Sequence, residues 1–297
     1  MSTSRAEEQI RAEIVEVGRR LYARGYVASN DGNISVRLGE GRLITTPKSV
    51  SKGFMSPDMM VVVDTEGRKI AGDRDPSSEL PMHLEIYRNR PDVHAVVHAH
   101  PPLATGFAVA GIPLTRAVLA EVVTTLGSIP IAEYGTPSTA ELPAAVRKYI
   151  KAHDGLLLAN HGAVTCCKTL MSAYYKMETI EHFAKISLVA RLLGREHLLS
   201  RGEVERLQAL RGMYGIAAPA AICTDGTEDP VGQALCQVLE APESAGDRLV
   251  PDVAASGPAV HQRAQTAGAA SRDGEIRLTY RELTALIADA VRNVKAD

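Results

Sequence analysis

The chain has 297 residues, 45% of them apolar and 23% charged, which suits one large α/β domain with appendages and excludes a globally disordered polymer. Lysine and arginine total 33 against 35 acids, a formal charge of −2 that argues against a general nucleic-acid binder. The four cysteines (Cys166, Cys167, Cys223 and Cys236) form no CxxC pair, the start MSTSRAEEQIRAEI has no apolar signal core, and no run of about 18 apolar residues occurs, so the expectation is a cytoplasmic protein without a disulfide framework, a thiolate zinc site or a membrane span.

In chain order, Ile10, Ile14, Val17 and Leu21 have the spacing of an amphipathic helix that should end near Gly25. The Asp31-Gly32-Asn33 segment reads as a turn and is too short for a dinucleotide or P-loop site, so neither a nicotinamide nor ATP is expected. RLITTP and MVVVD read as strands, with a turn at Gly67 after the second. PSSELPMHLEIYRNRP reads as a helix opened by Pro or Ser and stopped before Pro91. VHAVVHAH is a short apolar strand, and GLLLANHG is a buried one that breaks at Gly162; the adjacent Cys166 and Cys167 after NHGAVT fit buried packing. Tyr174, Met177, Ile180, Ala184 and Leu188 belong to one long helix over about 170–193.

Strands mixed with covering helices imply a layered α/β domain over residues 1–216. Residues 217–275 are rich in Ala, Gly, Pro and Ser with few large apolar side chains, the composition of a flexible linker with one short helix near 231–239. Over 276–297 a helical face returns in Leu283, Leu286, Ile287, Ala290, Val291 and Val294, with Thr279 and Glu282 placed as a capping box.

VVHAHPP carries the sharpest chemical signal. Side chains two apart in a strand share a face, so His98 and His100 project together, a good start for a metal site. His161, at the end of the next buried strand, is a third candidate, and Gly162 lets the backbone turn tightly beside it. Glu79, at the start of a helix, adds a carboxylate. The residues alone leave plainer readings open. An HxH pair is often a half-exposed polar face, His94 shares its parity, a single turn histidine is usually only that, and Glu79 suits the first turn of any helix. His83, His153, His182, His197 and His261 fall in helix, loop or tail settings, where a solvated or hydrogen-bonded role is the ordinary one.

Together, SSELPMHLEIYRNRPDVHAVVHAHPP and LLLANHGAV resemble the class II aldolase/adducin family, typified by L-fuculose-1-phosphate and L-ribulose-5-phosphate enzymes, over about residues 10–210. The resemblance implies a three-layer α/β/α sandwich with a central mixed or antiparallel sheet, and a homotetramer with active sites between subunits. It implies that His98, His100 and His161 ligate zinc or another divalent transition metal and that Glu79 is the acid/base. It also places the phosphate of a small sugar phosphate near Gly32, Asn33, Thr46, Ser77 and Ser78. Gly32 permits close backbone approach, Asn33 and the serines offer donors, and Ser77 and Ser78 lie at a helix start, although N-capping and turn formation explain the same residues.

Two departures stand out. The family usually follows Thr-Pro with Ser or Thr and then Gly, whereas this chain reads Thr46-Pro47-Lys48-Ser49; Lys48 suits a phosphate, a substrate carboxylate or plain solvent. The aldolases carry a tyrosine after the HxH strand, and GIPLTRAVLAEVVTTLGSIP has none, with Arg116 and Glu121 its charged residues and Tyr134 a loop candidate further on. The function implied is metal-dependent cleavage of a ketose 1-phosphate to dihydroxyacetone phosphate and an aldehyde, with decarboxylase or epimerase chemistry and a non-catalytic adducin-like scaffold as alternatives. The tail is similar in style to short helices that address enzymes into bacterial protein-shelled compartments; packing on its own oligomer is the other reading.

Overall fold

The computed structural model describes residues 5–213 and 216 of the chain. The expected linker over 217–275, with its short helix, and the expected amphipathic helix over 276–297 lie outside the described residues. One eight-stranded sheet organises the described part. Its strands are β1 (Asn33–Gly39), β2 (Arg42–Thr45), β3 (Val61–Asp64), β4 (Lys69–Ala71), β5 (Ala95–Ala99), β6 (Ile131–Ala132), β7 (Gly155–Leu158) and β8 (Gly162–Cys167). They lie in the order β4-β3-β2-β1-β5-β8-β7-β6, antiparallel throughout except for the parallel pair β6·β7. Seven helices cover the sheet: α1 (Arg5–Ala23), α2 (Leu80–Asn89), α3 (Pro102–Val109), α4 (Ala120–Thr125), α5 (Glu141–Arg147), α6 (Leu170–Leu192) and α7 (Arg201–Met213).

Alternation along the central strands divides the core in two. Ile34 and Val36 of β1, Val97 and Ala99 of β5 and Leu157 of β7 face one way, and meet Ile14, Val17 and Leu21 of α1 and Met177, Ile180 and Phe183 of α6. Val96 of β5, Leu156 and Leu158 of β7 and Val164 of β8 face the other way, against Leu84 and Ile86 of α2 and Leu142 and Val146 of α5. This is the expected α/β/α sandwich with a mixed sheet. Among the described residues no helix is long and apolar enough to cross a membrane.

Several elements differ from the sequence reading in ways that matter for the site. The turn reading of Asp31-Gly32-Asn33 stops one residue early, because Asn33 already pairs with His98 across β1·β5. β1 hides from a polarity reading because its second face carries Asn33, Ser35 and Arg37 and is covered by α2 rather than by water. There Ser35 Oγ lies 2.6 Å from His83 Nδ1 and 2.9 Å from the Tyr87 hydroxyl. Burial pushes His83 down to about 3, so it sits in the core as a neutral imidazole. Gly162 does not end a strand; it opens β8, and Leu158–Gly162 closes a hairpin in which Asn160 takes the left-handed φ of 54° that asparagine tolerates. Cys166 and Cys167 are free thiols inside β8, the first fully buried.

Candidate metal centre and active site

The three histidines meet at the end of the sheet centre. His98 is the fourth residue of β5, and His100 follows the strand on the same side. The β7–β8 hairpin, adjacent through β8·β5 pairing, brings His161 over them. The ring centroids form a nearly equilateral triangle with sides of 4.9, 4.8 and 4.9 Å. His94 has the same strand parity but sits exposed ahead of β5. Among the described residues the histidine triad is the group placed to hold a metal ion.

Hydrogen bonds decide which nitrogen two of the rings present. Ala163 O can only accept, so His98 Nδ1 carries the proton of their 2.9 Å bond and leaves Nε2 as the nitrogen that takes a cation or, without one, a second proton. His100 Nδ1 faces Asp31 Oδ2 at 3.2 Å, with the same consequence for its Nε2. The two Nε2 atoms stand 3.1 Å apart. Two nitrogens bound to one tetrahedral cation at about 2.0–2.1 Å are about 3.3 Å apart, so this spacing suits a shared ion. Without a cation or a proton between them, the facing lone pairs would repel. Burial, with His98 and His161 adding to it, pushes His100 down to about 4, which keeps it available as a neutral ligand.

Glu79 stands at the N-cap position of α2, and its side chain makes no capping bond. Its Oε2 lies 3.4 Å from His98 Nε2 and its Oε1 3.2 Å from His161 Nε2, so the carboxylate faces the triad. Asn33 Nδ2 donates to Oε2 at 2.7 Å. Burial raises this carboxyl, but the charge of His98 and the hydrogen bonds of both histidines together outweigh it and hold Glu79 well below the ordinary carboxylate range. A bound cation would act in the same direction.

The residues expected at a phosphate are partly gathered here. Thr46 O accepts from Ser77 N at 3.2 Å, and Pro47 bridges Pro76, so the segments around Thr46 and Ser77 run zipped together beside Glu79. Thr46 is fully buried and its hydroxyl accepts from Ile34 N at 3.1 Å. Ser77 Oγ accepts from Glu79 N at 3.3 Å, a local serine turn just ahead of the helix. Gly32 has φ +72°, and a Cβ there would lie 2.8 Å from His98 O, so glycine is what lets this loop press against β5. Asn33 lies beside Glu79, whereas Ser78 and Lys48 are exposed at the surface.

The charged residues after the HxH strand go elsewhere. Arg116 pairs with the buried Glu196, and Glu121 lies in the first turn of α4. Tyr134 stands exposed in the loop after β6. A cavity of 970 Å³ lined by Arg24, Tyr26, Glu121, Tyr175 and His182 contains none of the triad. Sequence reasoning missed Asp31 and Lys52. Asp31 touches His100, and Lys52 is a buried lysine whose Nζ donates to Asn30 O at 2.9 Å and Val50 O at 2.6 Å. The one available signal was the adjacency of Asp31 to Gly32 and Asn33.

The chain is similar in sequence and in fold to known proteins. A 3-oxo-tetronate 4-phosphate decarboxylase of Pectobacterium atrosepticum is 34% identical over 188 residues, covering 62% of this chain and 86% of the relative. An L-fuculose phosphate aldolase of Methanococcus maripaludis is 35% identical over 178 residues, covering 60% of this chain and 95% of the relative. A solved L-fuculose 1-phosphate aldolase superposes with a TM-score of 0.65 at 31% identity, covering 70% of this chain and 97% of that one. Residues 12–188 match the class II aldolase and adducin N-terminal domain, and the chain belongs to that family.

Proposed function

We propose that this protein is a divalent-metal-dependent carbon–carbon lyase of the cytoplasm that cleaves a ketose 1-phosphate into dihydroxyacetone phosphate and an aldehyde. The observation that carries this reading is the convergence of His98, His100 and His161 on one point faced by the Glu79 carboxylate. Three neutral imidazoles leave a cation such as zinc its full charge; when bound, it supplies Lewis acidity that polarises a carbonyl and stabilises developing negative charge. Asn33 Nδ2 occupies Glu79 Oε2, so Oε1, which faces His161 Nε2 at 3.2 Å, is the oxygen left to take a proton once that imidazole is turned to a cation. It removes the proton of the hydroxyl whose carbon departs as the aldehyde. The electron pair of the broken bond stays on the carbon next to the carbonyl, and that carbon is then protonated. Lys48 and Ser78 at the rim, with Ser77, supply donors for the phosphate, while Gly32, Asn33 and Thr46 shape the floor beneath it. Binding energy from that remote group can then be used at the reacting bond. The assembly that goes with this reading is a homotetramer.

A second reading has specific support. Arg116 is committed to Glu196, so the segment after the HxH strand offers no free cation, and the relative from Pectobacterium is a decarboxylase. Loss of carbon dioxide from a 3-oxo sugar acid phosphate needs the same charge stabilisation and no proton removal from a departing alcohol. Lys48 suits its carboxylate. Assays on L-fuculose 1-phosphate and on 3-oxo-tetronate 4-phosphate separate the two by their products, dihydroxyacetone phosphate or carbon dioxide. Elemental analysis should find about one divalent metal per chain, lost together with activity in His98→Ala. Purified protein that carries no metal, or that turns over neither substrate when loaded with zinc, sinks the lyase reading.

A further inference from the structure

The three imidazoles are not held alike. His98 is fully buried, and its Nδ1 is fixed by the main-chain carbonyl of Ala163. His161 Nδ1 is buried with no hydrogen-bond partner. His100 is the most open, 24% exposed, and is oriented by a side chain, Asp31, itself 41% exposed. That carboxylate would be an ordinary surface charge if its loop were free to move, but the loop is built in place. Asp31 N donates to Ala28 O at 2.9 Å, closing a turn, and His100 N donates to Tyr26 O at 2.8 Å just before it. Gly32, having no Cβ, itself lies against His98 O. Behind the turn, the Lys52 ammonium, 2% exposed, binds the carbonyl of Asn30, the residue preceding Asp31. Backbone, glycine and buried lysine therefore fix one carboxylate beside one ring nitrogen.

We propose that Asp31 is a positioning residue: its carboxylate holds His100 with the proton on Nδ1 and aims Nε2 at the point shared with His98 and His161, and Lys52 is the buried staple that keeps the Asp31 loop in register. The inference rests on the reading of the three imidazoles as metal ligands and goes beyond it by assigning the group that sets one of them. A carboxylate behind a ligand histidine orients the ring and raises its basicity, and its loss weakens metal binding by roughly 10–100-fold.

The test uses the full-length protein stripped of metal, as wild type, Asp31→Ala and Asp31→Asn. Zinc affinity is measured by competition with a chelator, the visible spectrum is recorded with cobalt, and the ring-nitrogen resonances of His100 are read in the metal-free state. Asp31→Ala should weaken zinc about 10–100-fold, perturb the cobalt bands and leave the melting temperature of the metal-free protein unchanged. Asp31→Asn, which still offers an acceptor oxygen, should recover most of the affinity. Asp31→Ala that binds zinc as tightly as wild type while raising only KM would make Asp31 a substrate contact and overturn the proposal. A proton found on His100 Nε2 in the metal-free protein would also overturn it. If wild type itself fails to bind zinc, the ligand reading falls and takes this inference with it; if wild type binds and Asp31→Ala matches it, only the role of Asp31 is lost.

Discussion

A methyl group at position 162 would lie 2.5 Å from His100 Cδ2 and 2.6 Å from Ala99 O, closer than packed atoms allow. Gly162 is therefore what lets the β7–β8 hairpin close over His100 and deliver His161. Gly162→Ala should cost about 1–3 kcal/mol of stability and release the metal, seen as a lower melting temperature and a weakened zinc titration; unchanged zinc affinity would show that the triad does not depend on this contact. Glu79→Gln makes the opposite separation. It keeps the shape of the side chain and removes the group that moves protons, so folding should change little while turnover falls about 10²–10⁴-fold. Equal turnover in that variant would remove Glu79 from the chemistry. At this scale His98 and His100 are legible because a strand has period two, and that rule is local. Asp31 is not legible, because its partner His100 lies 69 residues away and nothing local pairs them.

Among elements, the loop of Asn30–Asn33 and the turn holding Lys52 act as one unit joined through a buried ammonium. Burial lowers Lys52 from its ordinary 10.5 to about 8, against the opposing pull of Asp31 and Glu79. Below about 8 both folded and unfolded chains hold the proton, and the cost of the buried charge is present in full. Between about 8 and 10.5 the unfolded chain keeps a proton the folded chain has released, so stability rises with pH. Wild type should therefore gain stability relative to Lys52→Met across that window in denaturant titrations, and a difference that stays flat would refute the assignment. Lys52→Met also strands the carbonyls of Asn30 and Val50, which should cost about 1–3 kcal/mol at neutral pH. The β1–α2 contact teaches the same lesson about reading elements. Arg37 donates to Val93 O and Tyr87 O and stacks 4.8 Å over the Tyr87 ring, so a polar strand face is buried by a helix that supplies polar partners. Alternating polarity announces a strand but cannot say whether its polar side meets water.

For the whole molecule, the site sits where β1, β5 and β8 lie side by side, and the residues that build it come from four separate stretches around positions 31–33, 79, 98–100 and 161. Among the described residues the two large core clusters draw on residues between 14 and 184, and a third, small one joins Ala117 and Val123 to Val204. If the tail is a docking element, a chain ending after residue 216 melts cooperatively, binds metal and turns over substrate as the full chain does. Aggregation or loss of assembly in that variant would assign the tail to the fold instead, and calorimetry with light scattering distinguishes the two outcomes.

The sequence by itself determined what local periodicity and side-chain chemistry can carry: the long helices, the apolar strands, the shared face of His98 and His100, and the family signature in which His161 and Glu79 take their places. Only the tertiary structure decided that the 158–162 hairpin swings His161 over the other two rings, that Thr46 spends its hydroxyl on the backbone of β1 while Lys48 stays at the surface, and that Asp31 and Lys52 stand behind the site. The reason is physical. Convergence depends on sheet register and on close approaches that only glycine allows, and both are set by contacts between segments far apart along the chain.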